Sequence, residues 1–223
     1  MKKIVILFFT AVVLIGTITF AAAKDLEIKG RQLVSKKPPF TLNLPSEFLL
    51  IHSFSHENLK ESSLTRVYLF VRERNKQVEE MLILQIADRT NPQAEPITAP
   101  PLKPYDGKRM YLKDKKKRGE LEIDYLTQLM AWNPDAPSLQ PIREKGITIP
   151  SHWALQGQIL FVYEGEHAVS LRYSKDANAF GFKVSEAGSD WGKGSISGNE
   201  KKVYETFQKS FIEMMDSIQI KKP

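Results

Sequence analysis

Four histidines, no cysteine and one glycine-rich stretch hold nearly all the side-chain chemistry this chain could turn to catalysis. Without cysteine, thiolate nucleophiles, thiolate-held metals and disulfides are excluded. His52 and His56 stand four apart, a spacing that would join them on a helix, but the local pattern reads as strand running into turn. No H-E-x-x-H occurs. Glu164, Glu166 and His167 crowd one predicted hairpin. Metal ions are usually held by ligands converging from several elements, so this cluster reads as a solvated turn and no metal is expected. Gly192-Lys193-Gly194 is a G-x-G, but Ser197 stands where the dinucleotide pattern has its third glycine, and no G-K-[ST] follows. It reads as a flexible loop ending in a helix cap. Ser195 lies between Lys193 and Ser197 at two places either side, and Ser197 between Ser195 and Asn199, so neither forms the G-x-S-x-G elbow of a serine hydrolase. Glu120, Glu122 and Asp124 fall where a middle helix is expected to start, and acids favour that end of the helix dipole. No cofactor is expected, and catalysis is not the favoured reading.

The most distinctive chemistry is cationic. Lys108, Arg109, Lys113, Lys115, Lys116, Lys117 and Arg118 follow a proline-rich stretch that carries Pro92, Pro96, Pro100, Pro101 and Pro104. Prolines so spaced permit neither a regular helix nor a central strand. The region around 89–118 is therefore expected as a long exposed loop inserted into the domain. Such loops are often functional. This one would dock an acidic envelope protein or an anionic surface, with Tyr105, Met110 and Tyr111 as apolar contacts. The plainer alternative is a solvated charged loop.

The elements that would position these groups are mostly strands. Gln32–Ser35, Phe40–Leu44, Phe48–Phe54, Leu64–Arg74, Met81–Ile86, Leu155–Tyr163 and His167–Tyr173 have the alternation or continuous apolarity of strands. Asn75-Lys76-Gln77 and Glu164-Gly165-Glu166 supply turns, and Met81–Ile86, apolar on both faces except Gln85, is placed centrally. Short additions are expected at Ile147–Ile149 and Phe180–Val184. Leu121, Tyr125, Leu126, Leu129, Met130 and Trp132 recur at helical spacing, which predicts a helix ending at Asn133-Pro134. Ser197 and Glu200 stand in capping-box relation before a last helix. Its stripe is Val203, Tyr204, Phe207, Phe211, Met214, Met215 and Ile218. The expected fold class is α+β, an antiparallel sheet flanked by helices.

The chain opens with Lys2-Lys3, an uncharged apolar run from Ile4 to Phe20, and Ala21-Ala22-Ala23, the three parts of a secretory signal. Cleavage after Ala23 would leave 24–223, one α+β domain of 200 residues. A periplasmic or extracellular location follows, with no transmembrane segment after cleavage. The formal charge of +6 falls to +4 without Lys2 and Lys3, and export makes nucleic acid an unexpected partner.

Phe40-Thr41-Leu42-Asn43-Leu44 running into Pro45 and Phe48, a meander, and a closing helix with Phe207, Ser210, Phe211, Ser217 and Ile218 together resemble the Mog1/PsbP-like group. That group includes an extrinsic lumenal subunit of photosystem II and many exported bacterial proteins. The resemblance implies an α/β/α sandwich and a protein that docks on a partner without catalysing a reaction. The function expected is therefore an exported, non-catalytic protein that binds or helps assemble an envelope component. The alternatives are an extracytoplasmic hydrolase with an unrecognised site, or a small-ligand carrier with a pocket near Trp153 or Trp191.

Overall fold

The computed structural model describes residues 25–104, 111–180 and 198–220. The leader, Tyr105, Lys108, Arg109, Met110, the strand expected beyond Phe180, the glycine-serine stretch with Trp191, and Ser197 lie outside the described residues, as does the side chain of Tyr111.

The chain is mostly β. Among the described residues there are eleven strands and two α-helices, one of them only five residues long. A four-stranded sheet is built from β1 (Leu26–Lys29), β2 (Gln32–Lys36), β3 (Pro39–Asn43) and β11 (Gln219–Ile220). A seven-stranded sheet is built from β4 (Leu49–Asn58), β5 (Ser63–Arg74), β6 (Gln77–Arg89), β7 (Tyr111–Arg118), β8 (Leu121–Ala131), β9 (Trp153–Tyr163) and β10 (His167–Asp176). Its order is β4-β5-β6-β10-β9-β8-β7, antiparallel throughout. β6 lies inside the sheet between β5 and β10, as its double-sided apolarity implies. The helices are α1 (Gln140–Glu144) and α2 (Gly198–Asp216).

These layers overturn the α/β/α sandwich and the helix-flanked α+β class. One face of the large sheet is covered jointly by the small sheet and by α2. Leu33, Phe40 and Leu42 from the small sheet meet Tyr68, Leu84, Ile123 and Phe161 from the large one, together with Tyr204, Phe207 and Phe211 of α2. Gly157 on β9 lets α2 come close, because a methyl group there would overlap the Phe211 ring. The opposite face is covered by irregular chain. Trp132, Leu139, Ile142, Ile147 and Ile149 seal one end over Leu69, Val71 and Met81. Ile97 and Leu102, from the proline-rich stretch, seal smaller patches over Ala87 and Ala168 and over Leu126 and Leu160. Ile147–Ile149 contributes only a single bridge, Thr148 to Gln77.

The expected middle helix is a strand, β8. Leu121, Ile123, Tyr125 and Leu129 alternate into the main core, while Leu126 packs on the other face with Leu102 and Leu160. A strand buried on both faces presents apolar residues at three- and four-residue spacings as well as at two, so the helical stripe was shared by both periods. The preceding Gly119, with φ of 62°, turns β7 tightly into β8 and settles the choice as a hairpin.

Candidate functional site

The expected basic loop is, where it is described, the outermost strand on one side of the large sheet. β7 pairs with β8 from Tyr111 to Arg118, and four of its five cations bond to neighbouring groups. Lys115 bridges Glu122 and Asp124 on β8. Hydrogen bonds from Lys115 hold the Glu122 carboxyl below its usual range, and the same contacts push the lysine up. Lys116 Nζ sits 2.6 and 2.8 Å from the two carboxylate oxygens of Asp216, at the end of α2, and Arg118 pairs with the same carboxylate. Burial works to raise Asp216, but its bonds to Lys116 and Arg118 prevail and hold it below the usual range. Lys113 Nζ donates to the Leu102 carbonyl at 2.6 Å. Lys117 is exposed. Five cations thus stand among Asp114, Glu122, Asp124 and Asp216, and the strand presents much less net positive charge than its sequence suggests.

The four histidines do not converge. His152 Nε2 lies 2.6 Å from Asp176 Oδ1 at the end of the sheet where β9 begins. His167 Nδ1 lies 2.7 Å from Asp88 Oδ1, and Tyr163 stacks on its ring. Asp88 also accepts from Arg66 Nε and Nη2 at 3.0 and 3.1 Å, and the same guanidinium reaches Asp25 and the Lys37 carbonyl. Arg66 is only 5% exposed, so this network satisfies a buried cation and fastens the small sheet to the large one. Glu80, 0% exposed, is the centre of a second polar cluster, within the large sheet. It accepts from Arg72, Ser46 and the Tyr173 hydroxyl and pairs with Lys175. Burial first, then the Glu80 charge, pushes the Tyr173 hydroxyl far above its usual value. Among the described residues no group of three or more His, Asp or Glu is placed to hold a metal ion.

The remaining two histidines lie on β4, the opposite outermost strand, which the sequence reading did not single out. His52, Phe54 and His56 share one face of the strand, with ring centroids 5.7 and 6.2 Å apart. Leu49, Leu50 and Phe54 are 63, 40 and 41% exposed, and Leu59 just beyond the strand is 79% exposed. Most of the large exposed apolar side chains among the described residues gather here. Among the described residues β4 pairs only with β5, on one side. Next to it, a cleft of about 420 Å³ opens between β1 and β4, lined by Leu26, Ile28, Phe48, Leu50 and Phe70, with Glu27 and Glu47 also in its wall. It does not reach Trp153, one of the two tryptophans near which the carrier alternative would put its pocket. The signal available in the sequence was the composition of Leu49–Asn58, which holds no lysine, arginine or proline.

Fold and site together define a two-sheet antiparallel β protein with one charged and one apolar sheet edge. Among the described residues no helix is long and apolar enough to cross a membrane. No protein-family model matches the chain, and a search of curated proteins finds no match.

Proposed function

We propose that this chain is an exported, non-catalytic protein that binds or helps assemble an envelope component, and that it meets another chain along β4. The observation that carries the reading is the β4 edge itself. It combines ten residues of extended backbone with a one-sided pairing and clustered exposed Leu49, Leu50 and Phe54. Open edges of this kind accept a further strand, with main-chain hydrogen bonds giving affinity and alternate side chains giving choice. The buried polar clusters fit the non-catalytic half of the proposal. Arg66, Asp88 and His167 bond to one another, with Arg66 also reaching across to Asp25 and Lys37, and Glu80 is held by Arg72 and Tyr173 within the large sheet.

The test is in-cell photo-crosslinking with a reactive residue placed at Leu50, at Leu59 or at Lys117. Adducts of one defined mass from the β4 positions, and none from Lys117, are the expected result. Adducts from Lys117 alone would return the docking role to the basic strand. No adduct from any position would sink the binding reading.

A further inference from the structure

We infer that the chain taken up by β4 is a second copy of this protein, paired antiparallel about a two-fold axis at Phe54. This rests on the reading of β4 as the contact edge and goes on to name what covers it. The central residues of the strand, His52-Ser53-Phe54-Ser55-His56, read identically in both directions. An antiparallel pairing centred on Phe54 therefore sets Phe54 against Phe54, Ser53 against Ser55 and His52 against His56. Every cross-strand pair is like with like. Serine hydroxyls and neutral imidazoles each carry a donor and an acceptor, so both polar pairs are self-complementary. The two phenyl rings meet on the axis. On one face the existing His52-Phe54-His56 ladder continues into the same ladder of the second copy, at the Cβ separations of about 4.5–5.5 Å that let cross-strand pairs interact.

Charge selects this pairing over the other edge contacts. Two β7 strands would oppose Lys113, Lys115 and Lys117 to each other. A β4 strand against β7 would set those lysines beside Phe54 and Leu50. Such a head-to-tail contact would also be open-ended, whereas β4 with β4 closes on itself. The one charged residue of β4 does not oppose the closure. Glu57 lies three positions from the axis, so the two copies of Glu57 stand about 20 Å apart along the strands, well beyond a screening length of roughly 8–10 Å. The bulge between Leu50 and His52 ends the straight segment at His52. The contact is consequently short, and the association is expected to be weak and reversible.

Sedimentation of the purified protein tests this directly. The weight-average mass should climb from one chain toward two between roughly 1 and 100 µM, the range of a small interface. Phe54→Lys, which places two ammonium groups on the axis, should remain a single chain across that range while melting at the temperature of the unsubstituted protein. The absence of cysteine allows a second measurement that leaves Phe54 in place. Ser53→Cys with Ser55→Cys in one chain should form inter-chain disulfides under mild oxidation at least tenfold faster than Lys117→Cys. A single-chain mass at all concentrations, with no preference of the paired cysteines over Lys117→Cys, overturns the inference. If crosslinks from Leu50 and Leu59 then still yield a defined adduct whose mass is not that of two chains, β4 stands as the contact edge with a different occupant. If those crosslinks fail as well, both readings fall.

Discussion

The two outermost strands of the large sheet solve the same problem in opposite ways. Each ends a ladder and leaves one side of its backbone without a strand among the described residues. β7, with the sequence YLKDKKKR, covers its edge with cations and fixes Lys115, Lys116 and Arg118 to carboxylates on β8 and α2. β4, with the sequence LLIHSFSHEN, carries a single carboxylate, Glu57, and shows aliphatic and aromatic side chains to solvent. Lysines on an edge strand are a common defence against unwanted pairing, because a second strand would have to desolvate them. The dense charge of this sequence therefore falls on an edge whose lysines would resist a further strand. The edge without such charge, β4, has an ordinary composition, and its exposed apolar side chains stand out only once the fold has placed them.

Removing the defence should erase the distinction. Lys113→Thr, Lys115→Thr and Lys117→Thr in one chain would leave two sticky edges, and β4 could then pair with β7 of another copy. That contact does not close. The expected outcome is growth well beyond two chains, read as rising light scattering and fast-sedimenting species at concentrations where the parent protein is clear. If the triple variant stays as small as the parent, the lysines are not what protects β7.

Gly157→Ala sharpens the comparison from inside. A methyl group at this point of β9 meets the Phe211 ring, so α2 must shift away from the sheet. Overpacking of this kind costs about 3 kcal/mol, read as a lower urea midpoint. The displaced helix carries Asp216, so hydrogen exchange should rise in β7 and remain unchanged in β4. Equal effects at both edges would show that the helix does not brace β7 selectively.

Most of the sheet was legible along the chain. Phe40–Leu44, Leu64–Arg74 and the hairpin of Leu155–Tyr163 with His167–Tyr173 stand where alternation and turn residues put them. The closing helix also stands where its stripe put it, because one face alone is buried and only one period fits. β8 was misread for the converse reason, since both its faces are buried. The small sheet as a separate layer was not legible, because its closure depends on Gln219 and Ile220 returning to pair with Phe40 and Thr41, far back in sequence. The candidate site escaped for the same reason. Nothing local distinguishes an edge strand from an inner one when it lacks charge. The basic run had the reverse problem, because the partners of Lys116 and Arg118 lie about a hundred residues away at Asp216.

The smallest effect expected is also the most diagnostic of how β7 is held. Asp216 sits below its usual value of 3.8 because Lys116 and Arg118 bond its charged form more strongly than partial burial disfavours it. A carboxyl whose folded pKa is depressed adds stability above its unfolded pKa and loses it as pH falls through the folded one. The contribution is therefore complete near pH 6, begins to shrink as pH falls toward about 4, and is lost once the folded carboxyl has itself been protonated. The group is a third exposed, so solvent screening limits its worth to about 0.5–1 kcal/mol. Asp216→Asn should lower the urea midpoint by that much at pH 6, and the two proteins should converge as the acid limb is descended. High salt should narrow the gap at pH 6, since the pairs are only half sheltered. An Asn variant that matches the parent at pH 6 would mean that the clamp between α2 and β7 adds nothing. The protection of that edge would then rest on the desolvation cost of its lysines alone.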